Sequence, residues 1–497
     1  MVLECIKNKK QSNIILFIFM AIFLAKGIFY AAYITPPSAG TAPDDIGHIS
    51  YIQYVASEKK LPILFETSFE NITTESHKSY YNFETINYKK FIVEDEQFDE
   101  KNGVNWIAQH PPLYYLLMSP IYLIAKLLTN KLYILIIILR LATIPFGIAS
   151  IFVMSKIMDI LKTKNIVRYC IFTSFVFSAP MQFYFSNITN DSLLIFICIL
   201  TLYFLLKYTT EKHIKHFYLF VVCCALTVMT KYTGALVLIG YILYFLFKSI
   251  REDGIKKTAR LCVQGGIIGG IIVAPVFLRN YILYGNPVKT FNNNTLLYEI
   301  TFFQFIKDKG YFNELYSHLV TLIGCKYLIT STNLTKSLNA IILSGLSCFC
   351  LYKDNRKGRA LFILFTGEIS IFVLHHILNL ELSVSVALIS FLIISYYMLT
   401  LKELTLFKKE INGLFIFTII TMFLIYMSQH YKICLHRGRT GAMHGRYYYI
   451  ATFPFLYLIF NILEEFKFKY TKYLPILMTS VLMSIEVQTI VRCLERW

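Results

Sequence analysis

Eleven cysteines are scattered through the 497 residues without a C-x-x-C pair, most of them inside apolar runs. That pattern excludes a disulfide framework and a zinc site of the usual ligand spacing. The chain also lacks any Lys/Arg tract interleaved with exposed aromatics, so its net charge of +18 does not mark a nucleic-acid binder. No internal repeat is evident, which argues against the inverted-repeat plan of many secondary transporters. No small-residue cleavage site follows the apolar run from Ile14 to Ile34. The run is also too long for a signal peptide, and an uncleaved first span is expected.

What the chain has in abundance is apolar length. Hydrophobic residues make up 56% and aromatics 16%, and the mean hydropathy is +0.55. Such runs are too long and too many for a soluble protein, and they predict an all-α polytopic membrane protein. With roughly 20 apolar residues needed to cross a bilayer, spans are expected to start near residues 13, 131, 166, 191, 215, 232, 261, 337, 359, 384, 412, 446 and 472.

The run Leu113–Leu128 decides the topology. If it does not cross, the segments 1–12, 156–168, 207–216, 248–260, 353–359, 402–411 and 464–473 all face the cytoplasm. They hold 25 of the chain's 48 Lys and Arg, whereas the short opposite loops 184–190 and 379–383 hold none. If it crossed, six of the seven basic segments would lie outside, against the positive-inside rule. Leu113–Leu128 is therefore expected to lie along the outer face, leaving about 13 spans. The expected division is a first transmembrane helix (1–34), an outer loop with in-plane helices (35–130), a transmembrane core (131–283), a second outer loop (284–336) and a C-terminal bundle (337–497).

With that topology, polar residues gather on one side. "TAPDDIGHIS" places Asp44, Asp45 and His48 just past the first span. His110 and a Pro-Pro pair open the in-plane helix, and Pro suits a helix's first turn. Asn190 and Asp191 sit in a short outer loop, Lys231 lies between two spans, and Arg279 and Asn280 stand where another span ends. The outer loop 431–446 carries Lys432, Arg437, Arg439 and Arg446 against the charge rule.

Ordinary roles are available for each: Asp44–Asp45 and Asp191 as helix N-caps, His110 as a solvated pre-proline residue, Lys231 and Arg446 as snorkelling boundary residues, the acidic run 94–100 as a solvated face. Sequons at Asn71, Asn187, Asn190 and Asn333 are weak signals. Convergence on one face favours chemistry. A lipid phosphate would sit against Arg, Lys or His, while a carboxylate takes the proton of an attacking hydroxyl. Mid-span Lys26, Arg140 and Glu368 are the features that a transporter or flippase would use.

The ordered landmarks "PDDIGHISYIQYVASEKKLP", "HPPLYYLL", "NDSLLIF", "TKYTG", "RNYILYGNP" and "HGRYYYIATFP" resemble those of the GT-C superfamily of integral-membrane glycosyltransferases. That superfamily includes protein O-mannosyltransferases and the lipid A aminoarabinose transferase. The likeness is closest to a bacterial and archaeal group with P-D-[DE]-x-x-H after the first span, and it covers roughly residues 13 to 465. It implies a polyprenyl-phosphate sugar donor, a glycan, lipid or protein acceptor, and an active site on the outer face of the plasma membrane.

By this resemblance Asp44 is the general base, Asp45 occupies a position usually held by Glu, and Asp191 positions the acceptor or Asp44. Arg446 leads the phosphate-binding candidates, followed by Lys231, Arg279 and His110, with His48 and Tyr447 completing the substrate-binding set. The three acids could also hold a divalent cation. A glycan polymerase or ligase would share this outer-face chemistry.

Overall fold

The computed structural model describes residues 9–35, 44–64, 105–289, 298–307, 310–320, most of 340–351, 357–378, 380–400, 405–438 and 445–461, with isolated positions after 472. The acidic run 94–100 and the sequons at Asn71 and Asn333 lie outside the described residues, as do parts of the span expected at 337 and most of the one expected at 472. Among the described residues every regular element is helical. Eight helices among the described residues are long and apolar enough to cross a membrane, and a ninth span forms if Asn165–Val176 and Ala179–Phe185 are taken together. The figure of about 13 also counted the shorter helices at Ile214–Thr230 and Thr452–Asn461 and the two expected spans that are not fully described.

The chain divides into two compact units, one built from residues 1–160, 176–235 and 245–292, the other from 161–175, 236–244 and 293–497. The first unit opens with α1 (Lys9–Phe29), extended by a wide turn over Tyr30–Ile34. Then come α2 (Asp45–Glu58), α3 (Leu113–Leu128), α4 (Leu132–Leu141) and α5 (Ile144–Ile160). Downstream, α6 (Asn190–Glu211), α7 (Ile214–Thr230) and α8 (Ile255–Tyr284) complete the parts used below. Gly147 of α5 lies against Phe23 of α1, where a β-carbon would collide with the ring.

At about 1.5 Å per residue, the 14 residues of α2 and 16 of α3 fall short of the roughly 30 Å hydrocarbon core. Each buries one apolar face in protein, while Leu116, Leu117, Ile124, Leu127 and Leu128 of α3 stay exposed. Ile49, Ile52 and Val55 of α2 pack with Tyr114, Tyr115 and Met118 of α3. Ile136 and Leu139 of α4, with Leu193 and Ile197 of α6, close the cluster. The short helices are thus fixed to the spans by one continuous apolar core.

Two mid-span charges have structural partners. Lys26 donates to the Val176 carbonyl at 2.9 Å and its ammonium lies 4.8 Å from the centre of the Phe177 ring. Arg140 is fully buried and donates to the Thr35 carbonyl at 2.7 Å and the Ala31 carbonyl at 3.4 Å. Glu368 is exposed on the helix Lys357–His376.

In the second unit, the helix Leu406–Arg437 runs 32 residues, about 48 Å, well beyond the hydrocarbon thickness. The basic loop expected from residue 431 therefore begins as helix, and Lys432 lies on it. Gly438 ends it in the left-handed conformation (φ 70°), donating back to the Cys434 carbonyl. The helix end is held by Tyr431, whose hydroxyl donates to the Ile300 carbonyl at 2.6 Å. Phe305, Tyr311 and Leu315 pack with Cys434.

Candidate active site

Asp44 stands immediately before α2, in the N-cap position foreseen for it, but it does not cap. Its backbone is left-handed (φ 62°, ψ 5°) and its side chain makes no capping hydrogen bond. A non-glycine residue in this region is strained, and Asp tolerates it better than most. The carboxylate meets Trp106 instead, whose indole N–H donates to Oδ1 at 3.3 Å.

Trp106 arrives on a tight turn, Trp106–Gln109, capped by Asn105, whose side-chain oxygen accepts from the Ile107 amide. The same Asn105 donates to the Gly47 carbonyl at 3.3 Å. The turn can sit this close because residue 47 has no side chain: a β-carbon there would collide with Ile107. Gly47→Ala is therefore expected to cost about 1–3 kcal/mol through overpacking and to displace Trp106. Thermal unfolding of the purified protein, paired with an activity assay, measures both effects.

Asp45 turns the other way. It is buried, and its Oδ2 lies 3.8 Å from Arg140 Nη2. His48, one helical turn on, is also buried; its Nδ1 meets the Tyr115 hydroxyl at 2.9 Å. Tyr115 stacks on Tyr51 with ring centres 3.7 Å apart. Tyr51 reaches the His110 carbonyl at 3.4 Å. Burial pushes both phenols above their usual range, so both keep their protons.

His110 follows that turn in extended conformation (ψ 148°), as the proline after it requires. It is not a solvated residue: burial holds its pKa well below 6.5, reinforced by Lys231 and His48 and opposed by Asp191 and Asp44. His110 is thus neutral near pH 7 and offers a phosphate a hydrogen bond rather than a charge. Because the folded-state pKa is lowered, the unfolded chain binds the extra proton as pH falls below about 6.5, and stability drops in that window. His110→Gln should flatten this part of the curve of unfolding midpoint against pH.

The His110 ring stacks on His48 with centres 6.4 Å apart, and the Asp44, Asp191 and Lys231 charges all act on it. Thr189, not Asp191, caps α6, its hydroxyl accepting from the Asp191 amide at 3.3 Å. Asp191 sits in the first turn, where the helix dipole favours an anion. Lys231 stands at the end of α7, where a cation is favoured; the two are buried and paired at 2.7 Å. A snorkelling role for Lys231 is thereby corrected. Asn190 links the same two helix ends by donating to the Thr230 carbonyl. The sequons at Asn187 and Asn190 have buried side chains, which leaves no room for a glycan in the folded protein.

Arg279 of α8 donates to the carbonyls of Leu61 and Pro62, both at 3.0 Å, and so ties down the chain where it leaves α2. Asn280 beside it donates to the Tyr232 hydroxyl at 2.9 Å. In the second unit Arg446 is buried, with its guanidinium 5.4 Å from the centre of the Tyr447 ring. The Tyr447 carbonyl accepts from Tyr426, which stacks on His430.

Of the residues picked out in the sequence, Asp44, His48, His110, Asp191 and Lys231 form one neighbourhood. Asp45 and Arg279 anchor the two ends of α2, and Arg446 and Tyr447 belong to the second unit. Trp106, Asn105, Gly47 and Tyr115 had not been singled out. Among the described residues no three His, Cys, Asp or Glu side chains are grouped so as to hold a metal ion.

A family model described as dolichyl-phosphate-mannose-protein mannosyltransferase matches residues 109–278. The matched region takes in His110, Asp191 and Lys231 and ends one residue before Arg279. Comparison with curated proteins and with solved structures gives no match.

Proposed function

We infer the reaction from the premise that this chain is a GT-C superfamily membrane glycosyltransferase with a polyprenyl-phosphate sugar donor, as its match to the mannosyltransferase family supports. The chemistry is transfer with inversion. Asp44 takes the proton of an acceptor hydroxyl as its oxygen attacks the anomeric carbon. The bond from that carbon to the phosphate oxygen breaks, and its electron pair leaves with the polyprenyl phosphate. A phosphate leaving group needs no protonation, so one carboxylate suffices where glycosidases need two.

The observation that carries this reading is the placement of Asp44. A strained backbone holds its carboxylate out of the capping role and against the Trp106 indole, in the neighbourhood of the Asp191–Lys231 pair. Asp191 is suited to position the acceptor or Asp44. Lys231 supplies positive charge near the departing phosphate, and neutral His110 supplies a hydrogen-bond donor. Arg446 of the second unit remains a phosphate-binding candidate.

The distribution of Lys and Arg supports a site on the outer face of the plasma membrane. The mid-span charges that favoured transport have lost much of that meaning, since Lys26 and Arg140 bond to carbonyls. The test is deletion of the protein, followed by mass spectrometry of cell-surface glycans and by assay of polyprenyl-phosphate mannose and other sugar donors on purified protein with the deletion strain's envelope as acceptor. A missing sugar, restored by wild type but not by Asp44→Asn, is the expected result. An unchanged glycan profile and no donor turnover would refute the assignment.

A further inference from the structure

We propose that Arg140 is a positioning residue for the transfer reaction, which it serves by gripping Asp45 and the end of the first helix together and so fixing the backbone that aims Asp44. The proposal rests on the base role given to Asp44 above.

A fully buried guanidinium, here in the last turn of the short helix α4, is costly without charge and hydrogen-bond partners. Arg140 has both. One nitrogen of its fork, Nη1, donates to the carbonyls of Thr35 and Ala31, at the end of the first span. The other, Nη2, faces the Asp45 carboxylate at 3.8 Å. A planar fork can hold two directions at once, which a lysine ammonium on a flexible stem does poorly.

The grip is itself supported. Thr143, three residues on, donates its hydroxyl to the Phe185 carbonyl at 2.8 Å, and Asn187 donates to the Thr35 hydroxyl at 3.4 Å. Residues 31–35 are thus held from two sides, and Asp45 is held from outside its own helix.

The consequence for Asp44 is geometric. Asp45 is the first residue of α2, and Asp44 precedes it with φ 62°. With the Asp45 side chain pinned, the first turn cannot rotate to relax this left-handed residue. The Asp44 carboxylate then stays beside Trp106. Arg140 bonds to the end of the first span and faces Asp45, so its loss should disturb aim rather than donor binding. Misplacement of a reacting group by about 1 Å costs roughly a hundredfold in rate.

The experiment compares wild type, Arg140→Lys and the charge-balanced double variant Asp45→Asn with Arg140→Met. The double variant leaves no lone buried charge, which keeps it foldable. Each is purified in detergent, checked by thermal unfolding, and assayed with polyprenyl-phosphate mannose against envelope acceptor, with Asp44→Asn as the inactive control. The expected result is a double variant that unfolds as wild type does. Its kcat should fall about a hundredfold while its donor KM stays within about threefold, with Arg140→Lys intermediate.

A double variant with wild-type kcat overturns the proposal. So does a loss expressed entirely in donor KM, which would make Arg140 a binding residue. If neither variant folds, Arg140 is structural and the positioning role falls. A wild type that releases no polyprenyl phosphate from any sugar donor overturns the transferase reading itself, and this role with it.

Discussion

Asp44→Asn lowers glycosyl transfer by roughly 10²–10⁴-fold, the range that a positioned general base contributes, while the protein folds as before. The choice of asparagine matters. Residue 44 is left-handed, and Asn is as tolerant of that region as Asp is. Asn is also an equivalent N-cap, and its amide oxygen can still accept from the Trp106 indole. Only the ability to take a proton is removed. Asp44→Ala would mix that loss with backbone strain and is the weaker test. The measurement is kcat and donor KM on purified protein, with unfolding midpoints alongside. A fall in kcat at unchanged KM is the signature of an interaction made only in the transition state. Wild-type turnover by the asparagine variant would end the assignment of Asp44 as base.

The second large effect concerns the Asp191–Lys231 pair. Both groups are buried and 2.7 Å apart, so removing one leaves the other without its counter-charge. Lys231→Met is expected to destabilise the protein by about 3–5 kcal/mol. The double variant Asp191→Asn with Lys231→Met removes both charges and should regain most of that stability. Activity should not return with it, because the neighbourhood of His110 would have lost the cation proposed to face the phosphate. Unfolding midpoints for the single and double variants form a double-mutant cycle that isolates the pair. If the double variant recovers both stability and turnover, the pair is structural and the phosphate must be held elsewhere, with Arg446 the next candidate.

Both ends of α2 are held by arginines from elsewhere in the chain. Arg140 acts on its start through Asp45, and Arg279 holds the segment after its end through the carbonyls of Leu61 and Pro62. The family resemblance makes Arg279 one of the phosphate-binding candidates behind Arg446. In the fold it donates to two backbone carbonyls. A planar guanidinium answers both needs equally well, and sequence offers no way to choose between a carbonyl and a phosphate as its partner.

Why some features were legible and others were not follows from the range of the forces involved. Hydropathy sums over about 20 neighbouring residues, so the chain's membrane class, its all-helical content and the places where most helices begin could be read locally. The Pro-Pro start of α3 and the nearness of Asp44 to a helix start are local in the same sense. Asp45 and Asp44 cannot be told apart that way. Adjacent acids leave a helix start in different directions, and only packing shows that one meets Arg140 and the other Trp106. The hydrogen bond of Trp106 to Asp44 spans 62 positions, and that of Arg140 to Thr35 spans 105.

The sequence by itself therefore determined that this is a multi-pass helical protein with acids and bases gathered near the ends of its apolar segments. The tertiary structure decided which of those charges serve each other, and it set the Asp44 carboxylate against the Trp106 indole instead of in a cap. The physical reason is that burying a charge demands a partner wherever the fold can bring one, and the fold draws those partners from helices far apart in the chain.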